Sequence, residues 1–522
     1  MSQHPISVNT GTFNLNISGV AGFFGGDEAI QAISTIHLYR ARRWTGWYNA
    51  PGSFAIAKFL GPISNSRFWN ALFPGPNQEP ETVFGLDSRS GPKYIASQSG
   101  TILDHTSHIA YLVTQQSKEE YSSKKIEGRV SKSMTITVMH TQRRQRRDRL
   151  RVKSQPGDTS PPTITVSPLD HKKWLASMPI LASLGACALC AYSRDWYCLA
   201  MILLGIISNG MTCLIVGSAS AFLEGVTPAE NAPPGDGILV DNSLNHIVIL
   251  KGEEEDVNWI TKGRFRVEYL PHAWTKKKHK DNTSKVTPSS RVSRKTGADE
   301  ENLKACKQES TMPKEYRNIG ICSLLLGIQS LLQLLLIPQG KLFGQILFLL
   351  SFVISWVYNL YLSSLDKEKI QGRLLLQTLG YESRDKHRPF ITFSLGTRTS
   401  AAVFTALVLR LSESDSESTA NDTEKASIKV IKLLEHLVPN DTPVWERWRK
   451  HVGEQITIIN WTRQDTDSTE LDKYKDSLLQ CATEGLSNKE QLLLKGLLGD
   501  ACEGLTTFYY EYLKNVSNQG CC

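Results

Sequence analysis

The sequence lacks the short motifs on which several common catalytic and nucleotide sites are built. It contains no Gly-x-Ser-x-Gly elbow and no His-Glu-x-x-His zinc motif. The glycines at 19–26 are followed by Asp27 and Glu28, not by the Gly-Lys-Ser/Thr of a phosphate loop, and these carboxylates would repel an anion. We therefore expect no metal site and no cofactor.

We also expect neither a secretory leader nor a disulfide framework. Met1–Pro5 has neither a basic start nor a following apolar core. Half of the ten cysteines fall inside apolar runs, where a free thiol acts as a small hydrophobic group: Cys187, Cys190, Cys198, Cys213 and Cys322. This usage is typical of a reducing compartment.

Charge is absent from four long apolar runs, and this is the most informative feature of the chain. The runs are Trp174–Tyr192, Trp196–Leu223, Asn318–Gly340 and Leu342–Leu365. A helix rising about 1.5 Å per residue needs about 20 apolar residues to cross a hydrocarbon core of about 30 Å. The runs come in two pairs with short turns, so the sequence predicts a four-span, multi-pass membrane protein built from two transmembrane hairpins.

Local patterns predict further elements outside these runs. The N-terminal region should contain a helix at Asp27–Arg43 and short strands at Lys93–Ala96, Ile109–Thr114 and Met134–Met139. In the central region, His246–Leu250 is expected to pair with Arg264–Tyr269. Near the C-terminus, Pro443 predicts a helix start, and Ser487 with Glu490 predicts a capping box.

The predicted fold class is an α-helical polytopic membrane protein with a cytoplasmic α+β N-terminal domain and a mainly α C-terminal domain. Its six regions are a cytoplasmic α+β domain at 1–140, a basic and Pro/Ser-rich linker at 141–173, hairpin 1 at 174–223, a cytoplasmic insert at 224–317 (β-like at 237–270 and disordered at 275–313), hairpin 2 at 318–365, and a cytoplasmic helical domain at 366–522 with an acidic linker at 411–424.

Basic residues cluster on the flanks of the apolar runs. One cluster precedes the first run and comprises Arg143, Arg144, Arg146, Arg147, Arg149 and Arg151. Because Lys and Arg are enriched on cytoplasmic flanks, we expect the N-terminus, the insert and the C-terminus to face the cytoplasm, in an organelle that the sequence does not identify. The same cluster is a candidate site for anionic lipid headgroups, and we expect no nucleic-acid partner. The terminal Cys521 and Cys522 are candidates for lipidation.

Small and polar residues within the apolar runs are the other candidate functional residues. In the second run Gly205, Asn209, Cys213 and Gly217 recur every four residues, which predicts a helix-packing face with Asn209 turned toward another helix. In the second hairpin, the turn position predicts a hydrogen bond between Gln333 and Gln345. Gln329 and Asn359 complete the set of intramembrane polar residues.

Two stretches carry a resemblance to other sequences: Gly237-Ile238-Leu239-Val240-Asp241-Asn242-Ser243-Leu244-Asn245 and Gly344-Gln345-Ile346-Leu347-Phe348. They resemble predicted multi-pass membrane proteins of mushroom-forming fungi. The resemblance covers about 170–370 of the sequence. It implies a fungal multi-pass protein and no particular activity, and no catalytic residue follows from it.

The leading functional hypothesis is a non-enzymatic membrane anchor or scaffold, with the bilayer and cytoplasmic proteins as its partners. One alternative is a transporter or channel for small solutes, with Asn209, Gln329, Gln333 and Asn359 lining the path. Another is a membrane-bound enzyme acting on lipid, with Asp104, His105 and His108 as the acid and base groups.

Overall fold

A computed structural model describes residues 25–64, 67–76, 78–119, 129–141, 162–170, 173–241, 245–269, 314–380, 390–410, 420–459 and 468–514. Contacts divide the chain into two compact units, each assembled from three segments. Unit 1 comprises Met1–Ser88, Val166–Phe222 and Arg266–Lys367, and unit 2 comprises Arg89–Thr165, Leu223–Phe265 and Glu368–Cys522. The region 1–140 therefore contributes residues to both units.

Helices and short strands alternate along the first half of the chain, and helices dominate the second half. The helices are α1 Gly26–Ser34, α2 Ser53–Leu60, α3 Arg67–Leu72, α4 Pro80–Val83, α5 His108–Glu119, α6 Ser177–Tyr192, α7 Trp196–Val216, α8 Glu254–Thr261, α9 Lys314–Leu336, α10 Leu342–Ser363, α11 Lys367–Thr378, α12 Arg398–Arg410, α13 Ala420–Leu437, α14 Pro443–Ile458, α15 Ser468–Leu479 and α16 Asn488–Thr507. The strands are β1 Lys93–Ala96, β2 Ile102–Leu103, β3 Met134–His140, β4 Thr163–Thr165, β5 Ser220–Glu224, β6 Gly237–Val240, β7 His246–Lys251, β8 Arg264–Glu268 and β9 Phe390–Leu395.

Among the described residues of unit 1, four helices are long and apolar enough to cross a membrane. They are α6 with the turn before it, α7, α9 with the turn after it, and α10. The second run was predicted to continue to Leu223, and this boundary is wrong. Helix α7 ends at Val216, Gly217 caps it, and the following apolar residues form β5 instead.

These helices expose large apolar side chains on their outer faces. Examples are Leu181, Leu189, Ile207, Leu331, Leu335, Ile346 and Leu350. Other apolar side chains of the same helices meet in a buried cluster that includes Cys198, Ile202, Phe348 and Phe352. An apolar surface of this kind is stable when hydrocarbon covers it, as around a membrane span.

The N-terminal segment of unit 1 packs against these helices. Helix α1 lies on α10 and α2 lies on α9, where Ser323 Oγ donates a hydrogen bond of 2.6 Å to the carbonyl of Ala57. The predicted helix Asp27–Arg43 is too long, because regular α-helix ends at Ser34. Turns follow, and a 3-10 turn covers Arg42–Trp44.

A six-stranded mixed sheet organises unit 2, in the order β2-β1-β6-β7-β3-β9. Only β3 and β7 pair in parallel within it. The predicted pairing of His246–Leu250 with Arg264–Tyr269 is wrong, since β7 lies between β6 and β3 and β8 belongs to a sheet ordered β4-β5-β8. The strands predicted at Lys93–Ala96 and Met134–Met139 are confirmed.

The predicted strand Ile109–Thr114 is wrong, because these residues lie within α5. Ile109, Leu112 and Val113 are fully buried, and their spacing of three and four residues matches one face of a helix. The β-branched composition suggested a strand, but the apolar spacing favours the helix.

One face of the six-stranded sheet forms the main core of unit 2 with the C-terminal helices. Phe393 of β9 packs 4.9 Å, ring to ring, from Phe404 of α12, and Trp448 of α14 donates from Nε1 to the carbonyl of Leu497 at 3.1 Å. The two predicted helix starts are confirmed. Pro443 opens α14, and the Ser487–Glu490 capping box opens α16.

Candidate polar site between the apolar helices

The small-residue face of α7 contacts the segment Arg42–Ala50, a 3-10 turn followed by irregular backbone, which we call the inserted segment. A Cβ on Gly205 would overlap Oδ1 of Asn49, and one on Gly217 would overlap Arg43. Between these ends a Cβ on Gly46 would overlap Cys213. The inserted segment therefore runs antiparallel to α7 along the predicted packing face. It occupies the space left by the small residues of α7.

Asn209 is buried, and a buried amide among apolar helices needs a hydrogen-bond partner because an unpaired one is costly. That partner does not come from another helix. Its Nδ2 donates to the carbonyl of Gly46 at 2.6 Å and to that of Tyr48 at 3.3 Å. The prediction that Asn209 faces another helix is therefore wrong, because Asn209 bonds to the backbone of the inserted segment. The N–H and C=O groups of a backbone segment outside a helix need hydrogen-bond partners from side chains when protein encloses the segment.

The inserted segment also joins α6 to α10 through polar side chains. The backbone N–H of Asn49 donates to Ser183 Oγ and its Nδ2 donates to Ser351 Oγ, both at 3.0 Å. Tyr48 donates from its hydroxyl to Oδ1 of Asn359 at 2.8 Å. Sequence reasoning missed both Asn49 and Tyr48. The available signal was a short apolar stretch at Ser53–Ser64, a length typical of a buried or re-entrant element.

The three candidate glutamines of the second hairpin, Gln329, Gln333 and Gln345, have different surroundings. Gln345 donates from Nε2 to the carbonyls of Gly340 (3.0 Å) and Ile337 (3.3 Å), which fastens the turn of the hairpin. The predicted hydrogen bond between Gln333 and Gln345 is therefore wrong. Gln329 and Gln333 are both about 1% exposed, and neither side-chain amide has a hydrogen-bond partner among the described residues.

Asp195 links the turns of the two hairpins within unit 1. This buried carboxylate caps α7 by accepting from the backbone N–H of Cys198 at 3.3 Å, and it accepts from that of Lys341 at 2.8 Å. Lys341 in turn donates from Nζ to the carbonyl of Ser193 at 2.8 Å. The two turns therefore lie at the same end of the helices.

A buried guanidinium lies toward the opposite end of the helices. Arg42 donates from Nη1 to Oγ1 of Thr45 at 3.2 Å, and its guanidinium carbon lies 5.6 Å from the ring centroid of Tyr358. Such a cation–π contact partly compensates a charge that has lost water. The polar groups of the site thus lie between a buried anion at the turns and a buried cation at the other end.

Unit 2 has a pocket of its own at the carboxyl ends of the parallel pair β3 and β7, with a volume of about 650 Å³. Asp236 lines it and accepts from the backbone N–H of Gly252 at 2.8 Å through Oδ1. His140 also lines it, and burial lowers the pKa of this imidazole to about 4. Crevices at the carboxyl ends of parallel strands are frequent ligand sites in α/β folds.

The residues considered for an enzyme acting on lipid do not assemble an acid–base site. Asp104 forms an exposed ion pair with Lys93 at 3.2 Å, whereas His108 is buried with Nε2 3.1 Å from Oε1 of Gln371. His105 is exposed. No group of three or more His, Cys, Asp or Glu side chains within the described ranges has the arrangement of a metal site.

Two predicted sites lie outside the described residues and remain predictions. They are the lipid-headgroup cluster Arg143, Arg144, Arg146, Arg147, Arg149 and Arg151 and the lipidation candidates Cys521 and Cys522. The part of the insert that is predicted to be disordered, 275–313, and most of the acidic linker lie outside them as well.

Comparison with known proteins yields no relative: no protein-family model, no curated protein and no solved structure matches this chain.

Proposed function

We propose that this chain is an integral membrane anchor that crosses the bilayer four times and holds unit 2 at the cytoplasmic face as a scaffold for other proteins. The observation that carries the proposal is the origin of the six-stranded sheet. It takes β1–β3 from before the first hairpin, β6 and β7 from between the hairpins, and β9 from after the second.

Strands of one sheet must lie on the same side of a bilayer, because neighbouring strands share backbone hydrogen bonds. Val138 of β3 pairs with Ile249 of β7 on one side and with Ile391 of β9 on the other. Each hairpin must therefore cross the bilayer an even number of times between these strands. Two crossings per hairpin satisfy this condition, and the short turns alone then face the opposite side.

The side is assigned by charge. In this topology the basic clusters lie on the side of unit 2: Arg143–Lys153 before the first hairpin and Lys276–Lys280 between the hairpins. The only basic residues of the two turns are Arg194 and Lys341. The bias of basic residues toward the cytoplasm favours cytoplasmic N- and C-termini. The arginine cluster would then lie close to anionic headgroups, and lipidated Cys521 and Cys522 would add a second attachment.

Protease protection on sealed microsomes tests the topology. Three versions of the full chain carry an epitope at the N-terminus, at the C-terminus or within the first turn after Arg194. We expect protease to remove both terminal epitopes and to spare the turn epitope until detergent opens the membrane. A protected terminus or an accessible turn contradicts the topology, and extraction of the chain by alkaline carbonate contradicts membrane integration.

Proximity labelling from the C-terminus in cells tests the scaffold role. We expect a reproducible set of cytoplasmic proteins that is lost when the unit 2 core is disrupted by Trp448→Asp while the membrane helices are unchanged. The same neighbours around both versions would contradict a role for unit 2 in binding them. Passage of a small solute is a second candidate function, which the buried, unpaired amides of Gln329 and Gln333 favour.

A further inference from the structure

We infer that the amides of Asn49, Gln329 and Gln333 form a binding site for a small uncharged hydrogen-bonding solute, water included, in the interior of unit 1. The inference rests on the proposed four-span topology and goes beyond the anchor role, because an anchor does not need a polar interior. The outer, apolar faces of the helices do not need these three amides in order to contact hydrocarbon.

The unpaired polar atoms are the first argument. Oδ1 of Asn49 and both amide atoms of Gln329 and Gln333 lack a hydrogen-bond partner among the described residues, and all three side chains are at least 99% buried. Buried polar groups in native proteins are nearly always paired with protein, water or ligand. An amide carries donors and acceptors on one planar group, which suits a neutral ligand with both.

The depth of the site is the second argument. Ser183, Gly205 and Ser351 all contact Asn49, and each lies nine residues from the turn end of its helix. At about 1.5 Å per residue this is about 14 Å from the turns, near the middle of a core of about 30 Å. Gln329 joins this layer, since its Nε2 would lie 3.4 Å from a Cβ on Gly205. Polar groups at midplane depth in membrane proteins commonly mark a solute or ion pathway.

Further polar groups extend from this layer in both directions. Toward the turns lie Gln333 and Gln345. Toward the other end lie Ser208 and Ser355, whose hydroxyl oxygens also lack a hydrogen-bond partner among the described residues, followed by the Tyr48–Asn359 pair. The interior of unit 1 thus carries hydrogen-bonding groups over most of the depth of its apolar helices.

Charge at the two ends determines the class of solute. The buried guanidinium of Arg42 repels cations at one end, whereas at the other end the buried carboxylate of Asp195 is accompanied by the ammonium group of Lys341, which donates to the carbonyl of Ser193. Between these ends the described helices offer amides and hydroxyls but no compensating charge, so an ion would lose its hydration shell without a counter-charge. The site therefore favours neutral molecules over ions, and water, urea and glycerol are suitable probes of it.

Helix packing alone is the competing explanation, and the two make opposite predictions for stability. If Gln329 and Gln333 hold helices together, replacing them with leucine lowers thermal stability. If they are unpaired amides kept for a ligand, leucine removes a buried polar group without a partner, so stability stays the same or rises while solute passage is lost.

The test uses the full chain reconstituted into proteoliposomes and stopped-flow light scattering of water, urea and glycerol movement. We compare the native chain with the double variant Gln329→Leu/Gln333→Leu and with Ile328→Leu, a change of similar size at an exposed position of the same helix. We expect the native chain and Ile328→Leu to raise permeability to at least one of these molecules above that of protein-free vesicles. The double variant should lose this increase and melt no lower than the native chain.

Several outcomes would overturn the inference. They are native permeability equal to that of protein-free vesicles, full permeability in the double variant, a lower melting temperature of that variant, or a larger increase for K⁺ than for the neutral solutes. Alkaline carbonate treatment of the same vesicles separates the two proposals. A retained chain without neutral-solute flux contradicts only this inference, whereas an extracted chain contradicts the proposed membrane anchor and this inference with it.

Discussion

Replacing Gly205 with alanine should destabilise unit 1, although alanine is the better helix former. Within α7 the exchange gains about 1 kcal/mol in helix propensity. The new methyl group overlaps Oδ1 of Asn49, however, and overpacking of a tight contact costs about 1–3 kcal/mol. Moving Asn49 also breaks its hydrogen bond to Ser351, worth about 0.6–1.7 kcal/mol between membrane helices. The expected net loss in free energy of unfolding is about 2 kcal/mol.

Gly185 of α6 provides the matched control. It is also a glycine within a long apolar helix, but no described heavy atom lies within 4 Å of its Cβ position. Gly185→Ala should therefore leave stability unchanged or raise it by up to about 1 kcal/mol. Heating the detergent-solubilised chain and measuring the fraction that remains monodisperse gives the melting temperature of each variant.

We expect Gly205→Ala to melt roughly 4–8 °C below the native chain, at about 2–4 °C per kcal/mol for a unit of this size. If Gly205→Ala melts at or above the native temperature, the inserted segment does not lie against α7. Equal losses for Gly205→Ala and Gly185→Ala would show that both helices tolerate alanine poorly for a reason unrelated to this contact.

Three further predictions concern unit 2. Asp500, which is buried, accepts two hydrogen bonds from the guanidinium of Arg129, at 2.7 and 3.2 Å, so Asp500→Ala should lower the free energy of unfolding by about 1.5–3 kcal/mol in urea titrations, and an unchanged midpoint would contradict this. Burial lowers the pKa of His140 and His246 to about 4, so the unfolded state binds more protons than the fold between pH 6.5 and 4. The free energy of unfolding should keep its full value above pH 6.5. Toward pH 4 it should fall by up to about 1.4 kcal/mol per pH unit for each of the two histidines, which thermal melts at several pH values measure. His246→Gln should reduce that slope. Ser487→Ala removes the cap of α16 and should cost about 1 kcal/mol by the same melts, with no change expected for Ser427→Ala within α13, whose hydroxyl donates to the carbonyl of Glu424.

The apolar helices could be predicted because hydropathy is a local property. A run such as Leu342–Leu365 needs no knowledge of its neighbours to be identified as a potential span, and α10 follows it to within two residues. The capping box at Ser487 is local in the same sense. Asn209 could likewise be predicted to be buried, since an unpaired amide is too costly in an apolar surrounding.

The partners of these residues could not be predicted, because they depend on contacts distant in sequence. Asn49 reaches Ser351 across 302 positions, and nothing in the composition around Asn49 indicates this. The parallel pairing of β3 with β7 is equally non-local. Counting from the turn places Gln333 and Gln345 opposite each other. In the structure Gln345 donates instead to the carbonyls of the turn, which are closer to it.

The origin of the six-stranded sheet has a consequence for biosynthesis. Strand β3 has β7 as one neighbour and β9 as the other, and β9 begins only at Phe390, after both hairpins have been synthesised. Until then β3 presents an open edge, which is prone to pair with other chains. In the proposed four-span topology, completion of the sheet requires both hairpins to cross the bilayer twice, and a chain with a missed crossing would leave β9 on the wrong side. In that topology, a misinserted chain would keep this edge open and would be exposed to cellular quality control.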